Sequence, residues 1–110
     1  MADDKDVVFI GSSLSELRAF PETARRDAGY QIDRVQQGLD PVDWKPMNTV
    51  GAGAREIRIH SEGAFRVIYV AKFKDAVYVL HAFEKKSQKT PRKVIDLTKR
   101  RYQTLVKARL

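Results

Sequence analysis

The sequence predicts an α+β fold in which helices pack on one face of a twisted antiparallel sheet. Two observations support this class. Apolar residues recur with a helical period in the first half of the chain and alternate with polar residues in the second half, and short turns join the alternating segments. The predicted element order is therefore β-α-α-β-β-β-α. At 110 residues and 43% hydrophobic content, the chain suits one domain, residues 1–110.

The N-terminal half is interpreted as one strand followed by two helices. Residues 1–6 are expected to form a flexible acidic tail, and the β-branched run 7–10 forms the strand. The serine pair after this run is a good N-cap for a short helix. Pro21 is well placed as the first residue of a longer helix, which Gly38 ends. Residues 40–53 hold two prolines and two glycines and are expected to form a surface linker.

The C-terminal half is expected to form a three-stranded meander and a helix. Residues 55–60 alternate apolar and polar side chains, as in a half-buried strand. A glycine-containing turn (61–63) leads to a returning strand at 65–73, and a second turn leads to a third strand at 76–83. A threonine N-cap and a proline open the last helix, 91–109, which carries a basic surface.

Charge is distributed unevenly along the chain. Residues 1–47 carry 6 basic and 9 acidic side chains, a net charge of −3, whereas residues 48–110 carry 15 basic and 5 acidic ones, a net charge of +10. A basic half on an otherwise balanced chain is typical of proteins that bind a phosphate-rich partner or an acidic protein. A highly soluble surface is the alternative interpretation.

Composition argues against several classes of function. With no cysteine, the chain has no disulfides, no cysteine-bound zinc and no thiol catalysis. It has neither a glycine-rich phosphate loop of the required spacing nor a carboxylate cluster in the basic half to hold magnesium, so no metal or other cofactor is expected. No window reaches the ~18 apolar residues of a membrane span, and the start is acidic where a signal peptide is basic. We expect a cytoplasmic protein without membrane contact.

Two arginines are predicted to face each other across the first hairpin. A three-residue loop lets His60 face Ala64. Arg58 then lies directly opposite Arg66 on the same side of the sheet. Like charges in that arrangement destabilise a sheet by roughly 0.2–1 kcal/mol unless an anion lies between them, so the pair is a candidate phosphate site. A two-residue loop would place Arg66 opposite Ile57 instead.

Further basic residues follow the third strand. In a simple meander, Lys85 and Lys86 converge with the two arginines on one concave face, and Lys89 lies just beyond. A solvated surface is the alternative interpretation for these lysines. Cleavage of RNA suits such a cluster, because the 2′-hydroxyl group attacks the adjacent phosphate without a metal ion and cations stabilise the charge that develops.

Three side chains are candidates for the proton transfers that RNA cleavage requires. Glu56 shares a strand face with Arg58, where a structural salt bridge is the alternative. His60 lies at a hairpin end, and His81 alternates with two valines of the third strand, so an exposed His60 and a packed His81 are the ordinary interpretations. Histidine nevertheless exchanges a proton near neutral pH, which keeps both as candidates.

Three segments carry a family resemblance: Gly53-Ala-Arg-Glu-Ile-Arg-Ile, Gly63-Ala-Phe-Arg-Val-Ile-Tyr and Val79-Leu-His-Ala-Phe-Glu-Lys-Lys-Ser-Gln-Lys-Thr-Pro. With these segments and its element order, the chain resembles the RelE/HigB superfamily of bacterial toxins, specifically the phage-derived HigB-like branch. The resemblance implies a twisted antiparallel sheet flanked by helices, cleavage of mRNA on the translating ribosome, and inhibition by an antitoxin that often carries a helix-turn-helix DNA-binding domain.

The resemblance also implies roles for individual residues. Arg66 takes the place of the family's strand arginine, Arg58 that of its basic position before the hairpin, and the lysine pair after the third strand that of its basic pair. The family's C-terminal catalytic tyrosine has no counterpart soon after that pair, where this chain has Arg92-Lys93. Glu56 replaces a second basic residue, so the general base stays open among the three candidates.

The sequence therefore predicts the toxin of a type II toxin–antitoxin system, a metal-independent, ribosome-dependent mRNA endoribonuclease that inhibits translation. The alternatives are a DNA gyrase inhibitor, as in the ParE branch, and a non-catalytic RNA-binding module. Expected partners are mRNA, ribosomal RNA and an antitoxin with a helix-turn-helix domain. The residues expected to bind RNA phosphates are Lys89, Arg92, Lys93, Arg100 and Arg101.

Overall fold

A computed structural model describes residues 4–109 of the chain. Within this range the chain forms five strands and three helices. They are β1 (Asp6–Phe9), α1 (Ser13–Arg18), α2 (Glu22–Gln36), β2 (Trp44–Pro46), β3 (Ala54–His60), β4 (Ala64–Val70), β5 (Ala76–Glu84) and α3 (Arg92–Ala108). No helix in the described range combines the length and the apolar character that a membrane crossing requires.

The strands form one mixed sheet in the order β1-β5-β4-β3-β2. Strands β2 to β5 pair antiparallel with their neighbours, which confirms the predicted meander. Strand β1 instead pairs parallel with β5, with Val7 opposite Val77, so the prediction of a wholly antiparallel sheet is wrong at this edge. Local apolar periodicity indicates that a segment is a strand, but it does not indicate which distant strand it joins.

Part of the predicted linker, residues 40–53, is a short edge strand. In this strand β2, Lys45 lies opposite Glu56 of β3. Asp43 comes just before β2, and its backbone carbonyl accepts the backbone N–H of Arg58 at 2.9 Å. The edge strand therefore brings two charged side chains from the linker beside the arginine-bearing strand.

The helices cover both faces of the sheet, so the prediction that they share one face is wrong. Ile32 of α2 packs in one core with Val67 of β4, and α1 lies on this same side. Leu105 of α3 packs in a second core with Ile68, on the opposite side. The physical reason lies in β4, because its side chains from Phe65 to Val70 are all buried and both of its faces need cover.

The first residues of the described range are held against the rest of the fold. The Lys5 ammonium group donates to two backbone carbonyl groups after β4, each at 2.8 Å, and its backbone N–H donates to Gln36 O at 2.9 Å. Asp6 begins β1. The flexible tail predicted for residues 1–6 is therefore wrong for Lys5 and Asp6, since both are hydrogen-bonded or paired; residues 1–3 lie outside the described range.

Two glycines give a matched test of packing. A Cβ atom at Gly51 would contact the ring of Tyr102, whose hydroxyl group donates to Ala52 O at 2.8 Å, whereas a Cβ atom at Gly29 in α2 meets nothing within 4 Å. We expect Gly51→Ala to lower the free energy of unfolding by about 1–3 kcal/mol and Gly29→Ala to raise it by about 0.5–1 kcal/mol. Urea unfolding of both variants checks this, and equal effects would contradict the packing at Gly51.

Candidate functional site

One end of the α3 side of the sheet is not covered by α3 and carries a cluster of charged side chains. We call this surface the basic face. Strand register arranges its residues in three rows across the sheet. The rows are His60, Ala64 and Lys85; Arg58, Arg66 and Phe83; and Lys45, Glu56, Ile68 and His81.

The two arginines at the centre of the basic face have the predicted register. His60 pairs with Ala64, and Arg58 pairs with Arg66, which confirms the three-residue loop. Gly63 in that loop has a φ of 136°, a conformation that favours glycine. Arg66 is 7% exposed whereas Arg58 is half-buried, so one arginine is mostly enclosed and its neighbour opens to solvent.

The anion beside the two arginines is the protein's own Glu56. Its Oε1 atom lies 3.6 Å from Arg66 Nε, 3.9 Å from Arg58 Nε and 3.7 Å from Lys45 Nζ. One carboxylate thus compensates three cations, which explains how like charges face each other across the hairpin. The cluster as a whole stays cationic and attracts further negative charge.

Glu56 lies beneath the surface, where a bound ligand does not reach it. The side chain is 0% exposed, and among the described residues neither of its oxygens has a hydrogen-bond partner. The Arg66 guanidinium group is held separately, because its Nη1 donates to Phe65 O at 2.9 Å. A general base must lie within hydrogen-bond reach of the proton that it removes, so this burial argues against Glu56 as the base and favours a role in holding the arginines.

The predicted lysines join Arg66 around a shallow pocket. Arg66, Lys85 and Lys86 line a pocket of ≈350 Å³, which we call the Arg66 pocket. Lys85 continues the β4–β5 ladder, donating its backbone N–H to Ala64 O at 2.7 Å. Lys89 lines an adjoining cleft of ≈570 Å³. Three of the four basic residues singled out from the sequence therefore share this pocket, with Lys89 close by, and Arg58 adjoins it as the cross-strand neighbour of Arg66.

An exposed histidine–aspartate pair borders Arg58. His60 Nε2 lies 2.8 Å from Asp43 Oδ2, and Asp43 Oδ1 lies 3.8 Å from Arg58 Nη1. The accessible imidazole is thus oriented by a carboxylate next to an arginine, the arrangement that suits a proton-transfer group beside an anion. Sequence reasoning misses Asp43, because the linker interpretation does not include the β2–β3 pairing that places it there.

A β-bulge turns His81 toward the basic face. Alternation predicts His81 on the side of Val77 and Val79, but the β4–β5 register shifts by one residue just before it. His81 is buried, its ring stacks on Phe83 with centroids 5.1 Å apart, and its Nδ1 lies 2.7 Å from Glu16 Oε1. Burial lowers the pKa of His81, although Glu16 opposes the change.

Arg101 joins three elements and does not project into solvent. Its guanidinium group donates to both carboxylate oxygens of Glu16, at 2.9 Å each, and to Leu80 O at 2.9 Å. Burial acts to raise the pKa of Glu16, but hydrogen bonds from Arg101 and His81 outweigh it and lower that pKa. This pairing argues against the prediction that Arg101 binds RNA phosphates, because its donors are already used to tie α3 to α1 and β5.

This bridge predicts a loss of stability on acidification. Because the pKa of His81 is lowered in the folded chain, the unfolded chain binds more protons once the pH falls below about 6.5, so His81's contribution is complete above that pH and declines below it. The lowered pKa of Glu16 extends the loss below about 4.5. We expect the free energy of unfolding in urea to fall between pH 7.5 and pH 5.5, and to fall less in His81→Gln. Equal decreases in both proteins would contradict the role of His81.

The other residues predicted to bind RNA lie on the outside of α3. Arg92, Lys93 and Arg100 are exposed, and Arg92 makes a long 4.0 Å contact with Asp96. They extend the positive charge of the basic face along α3. Within residues 4–109, no three His, Asp or Glu side chains form a group that could hold a metal ion.

These features define a small α+β protein with a cationic site built on a four-stranded meander. One family model, described as phage derived protein Gp49-like (DUF891), matches residues 15–103, a range that includes the whole basic face. The chain therefore belongs to the Gp49-like family of phage-derived proteins, a toxin-like family that is generally paired with an antitoxin. A comparison with curated proteins gives no match.

Proposed function

We propose that this chain is the toxin of a type II toxin–antitoxin system, a HigB-like member of the RelE/HigB superfamily that cleaves mRNA on the translating ribosome without a metal ion. One observation carries the proposal: Arg58 and Arg66 pair across a hairpin beside the buried Glu56 and next to Lys85 and Lys86. Cations fixed in this way stabilise the charge of a phosphorane transition state. Membership of a toxin-like family supports the same function.

The chemistry follows from the RNA itself. The 2′-oxygen attacks the adjacent phosphorus and the bond to the 5′-oxygen breaks, which leaves a 2′,3′-cyclic phosphate and a 5′-hydroxyl end. Arg58 and Arg66 contact the non-bridging oxygens, and Lys85 and Lys86 complete the charge around them. Two protons must move, one from the 2′-hydroxyl group and one to the leaving oxygen.

We assign a proton transfer to His60, oriented by Asp43. The support is its position, because His60 is exposed and its partner Asp43 also approaches Arg58. The other two candidates are both buried, Glu56 beneath the arginines and His81 beside Glu16. His60 therefore has the better access to a phosphate at the centre of the basic face.

The partners follow from the charge. Lys89 and the exposed basic residues of α3 lie beyond the Arg66 pocket, where phosphates of ribosomal RNA or an acidic segment of an antitoxin compensate them. We propose an antitoxin with a helix-turn-helix domain as the protein partner, since the toxin-like family is generally paired with an antitoxin.

The proposal is tested by brief induction in cells, followed by mapping of new mRNA 5′ ends. We expect cuts within reading frames that disappear when translation is blocked before induction, because the substrate is mRNA on the ribosome. Arg66→Ala and Lys86→Ala remove two members of the Arg66 pocket and should reduce the cuts. Arg26→Ala on α2, whose side chain is 77% exposed and paired with Glu22, is the matched control and should cut normally.

Other outcomes distinguish the alternatives. Growth arrest without new 5′ ends would overturn the nuclease and favour a gyrase inhibitor. Salt-dependent RNA binding by the purified chain, with neither cuts nor arrest, would favour a non-catalytic RNA-binding module.

A further inference from the structure

A second, larger cleft adjoins the Arg66 pocket and differs from it in character. It lies between the segment after β2 and the segment before α3, and it measures ≈570 Å³. Lys85 and Gln88 line both cavities, so the two are adjacent. A group in this cleft is therefore a direct neighbour of any phosphate held by Arg66.

The walls of the cleft combine apolar surface with free amide groups. Met47 is buried and Ile95 half-buried, and together they provide an apolar surface for a planar group. The amide side chains of Asn48 and Gln88 lie at its rim, are exposed and have no hydrogen-bond partner in the described part of the chain. By contrast, the amides of Gln36 at the end of α2 and of Gln37 just after it are both engaged in hydrogen bonds.

An amide group presents a donor and an acceptor side by side, which is the pattern that pairs with the edge of a nucleobase. Phosphate contacts alone do not distinguish one RNA sequence from another, whereas base edges do. Single-stranded RNA offers those edges because its bases can be splayed out and stacked on side chains. The cleft thus has both a packing surface and groups that read a base, while the Arg66 pocket supplies one arginine and two lysines that bind a phosphate.

We infer that this cleft binds the nucleobase next to the phosphate held by Arg66, with Asn48 and Gln88 determining which base is accepted. The inference rests on the proposed function for the position of the phosphate. The shared lining of the two cavities by Lys85 and Gln88 carries it, since one ribose separates a base from its phosphate. Lys85 then contacts the phosphate, and Met47 and Ile95 pack against the ring.

The cleavage test uses Asn48→Ala and Gln88→Ala, with Gln103→Ala as the matched control, because Gln103 is an exposed amide on α3. We expect cuts by the unaltered chain to show an enriched base at one position beside the broken bond. Each cleft variant should reduce that enrichment by about tenfold, the discrimination typical of one amide–base pair, while cutting continues. Gln103→Ala should leave the base enrichment unchanged. Cuts whose base preference is unchanged in both cleft variants would overturn the inference.

A binding test separates this inference from the nuclease activity. The purified chain is titrated with inorganic phosphate and with the four nucleoside 5′-monophosphates, and amide NMR shifts are followed. We expect one nucleotide to bind several-fold more tightly than phosphate, with shifts at Asn48 and Gln88, and this advantage to vanish in the two cleft variants. Selective binding of one nucleotide without cuts in cells would overturn the proposed nuclease activity but support the cleft as a base-binding site. If all four nucleotides bind no better than phosphate, the inference is wrong even where cuts occur.

Discussion

Arg66→Ala should lower the rate of mRNA cleavage by about 10²- to 10³-fold, the usual effect of removing one preorganised donor from a developing oxyanion. Arg66 is nearly enclosed between Glu56 and the Arg66 pocket, so its guanidinium group keeps one position before the phosphate arrives. The measurement is the single-turnover rate on programmed ribosomes. Arg66→Lys keeps the charge but loses the planar donor pair, so we expect an intermediate rate.

An effect of the substitution on the cleavage rate must be separated from an effect on folding, because Arg66 also compensates the buried carboxylate of Glu56. Circular dichroism and urea unfolding of each variant establish that the fraction folded during the assay is unchanged. Arg58→Ala offers a second test, since Arg58 is half-buried and its loss disturbs the interior less. A normal rate in folded Arg66→Ala would refute the assignment of this residue to the phosphate.

The second large effect is on stability: Glu56→Leu should lower the free energy of unfolding by about 3–5 kcal/mol, the cost of leaving a buried charge without its partner. Removal of this carboxylate leaves Arg66 enclosed and brings it into unopposed repulsion with Arg58 and Lys45. Urea unfolding measures the change. Glu22→Leu, which removes an exposed ion pair with Arg26, is the matched control and should change stability by less than about 1 kcal/mol.

A double variant shows whether the loss of stability arises from the Glu56–Arg66 ion pair. Glu56→Leu combined with Arg66→Leu replaces a buried ion pair by two apolar side chains, which is often neutral or stabilising. We expect the double variant to be more stable than Glu56→Leu alone. If the two losses simply add, the ions are not coupled and the compensation described for the basic face is wrong.

The basic face could be predicted in part because its geometry is local. A three-residue turn and strict alternation determine which residues oppose each other in a hairpin, and Arg58 and Arg66 lie only a few residues from that turn. The same reasoning places Lys85 near the end of the next strand. These predictions depend on short stretches of sequence, where turn chemistry and alternation act together.

The parts that could not be predicted depend on contacts between distant segments. Glu16 and Arg101 are 85 positions apart, and nothing near either residue indicates that they meet. The parallel pairing of β1 with β5 and the short strand β2 were missed for the same reason, because each depends on a partner strand elsewhere in the chain. The side taken by α3 was predicted wrongly, although a strand that is apolar on both faces, as β4 is, needs cover on both.

The enclosed carboxylate of Glu56 also sets how ionic strength acts on this protein. Dissolved salt screens charges that water surrounds much more than it screens charges inside the fold. Salt should therefore weaken the hold of Lys85, Lys86 and Lys89 on a nucleic acid, while the Glu56–Arg66 contact keeps its geometry. The affinity for nucleic acid would then vary with ionic strength, while the position of Arg66 beside Glu56 stayed constant.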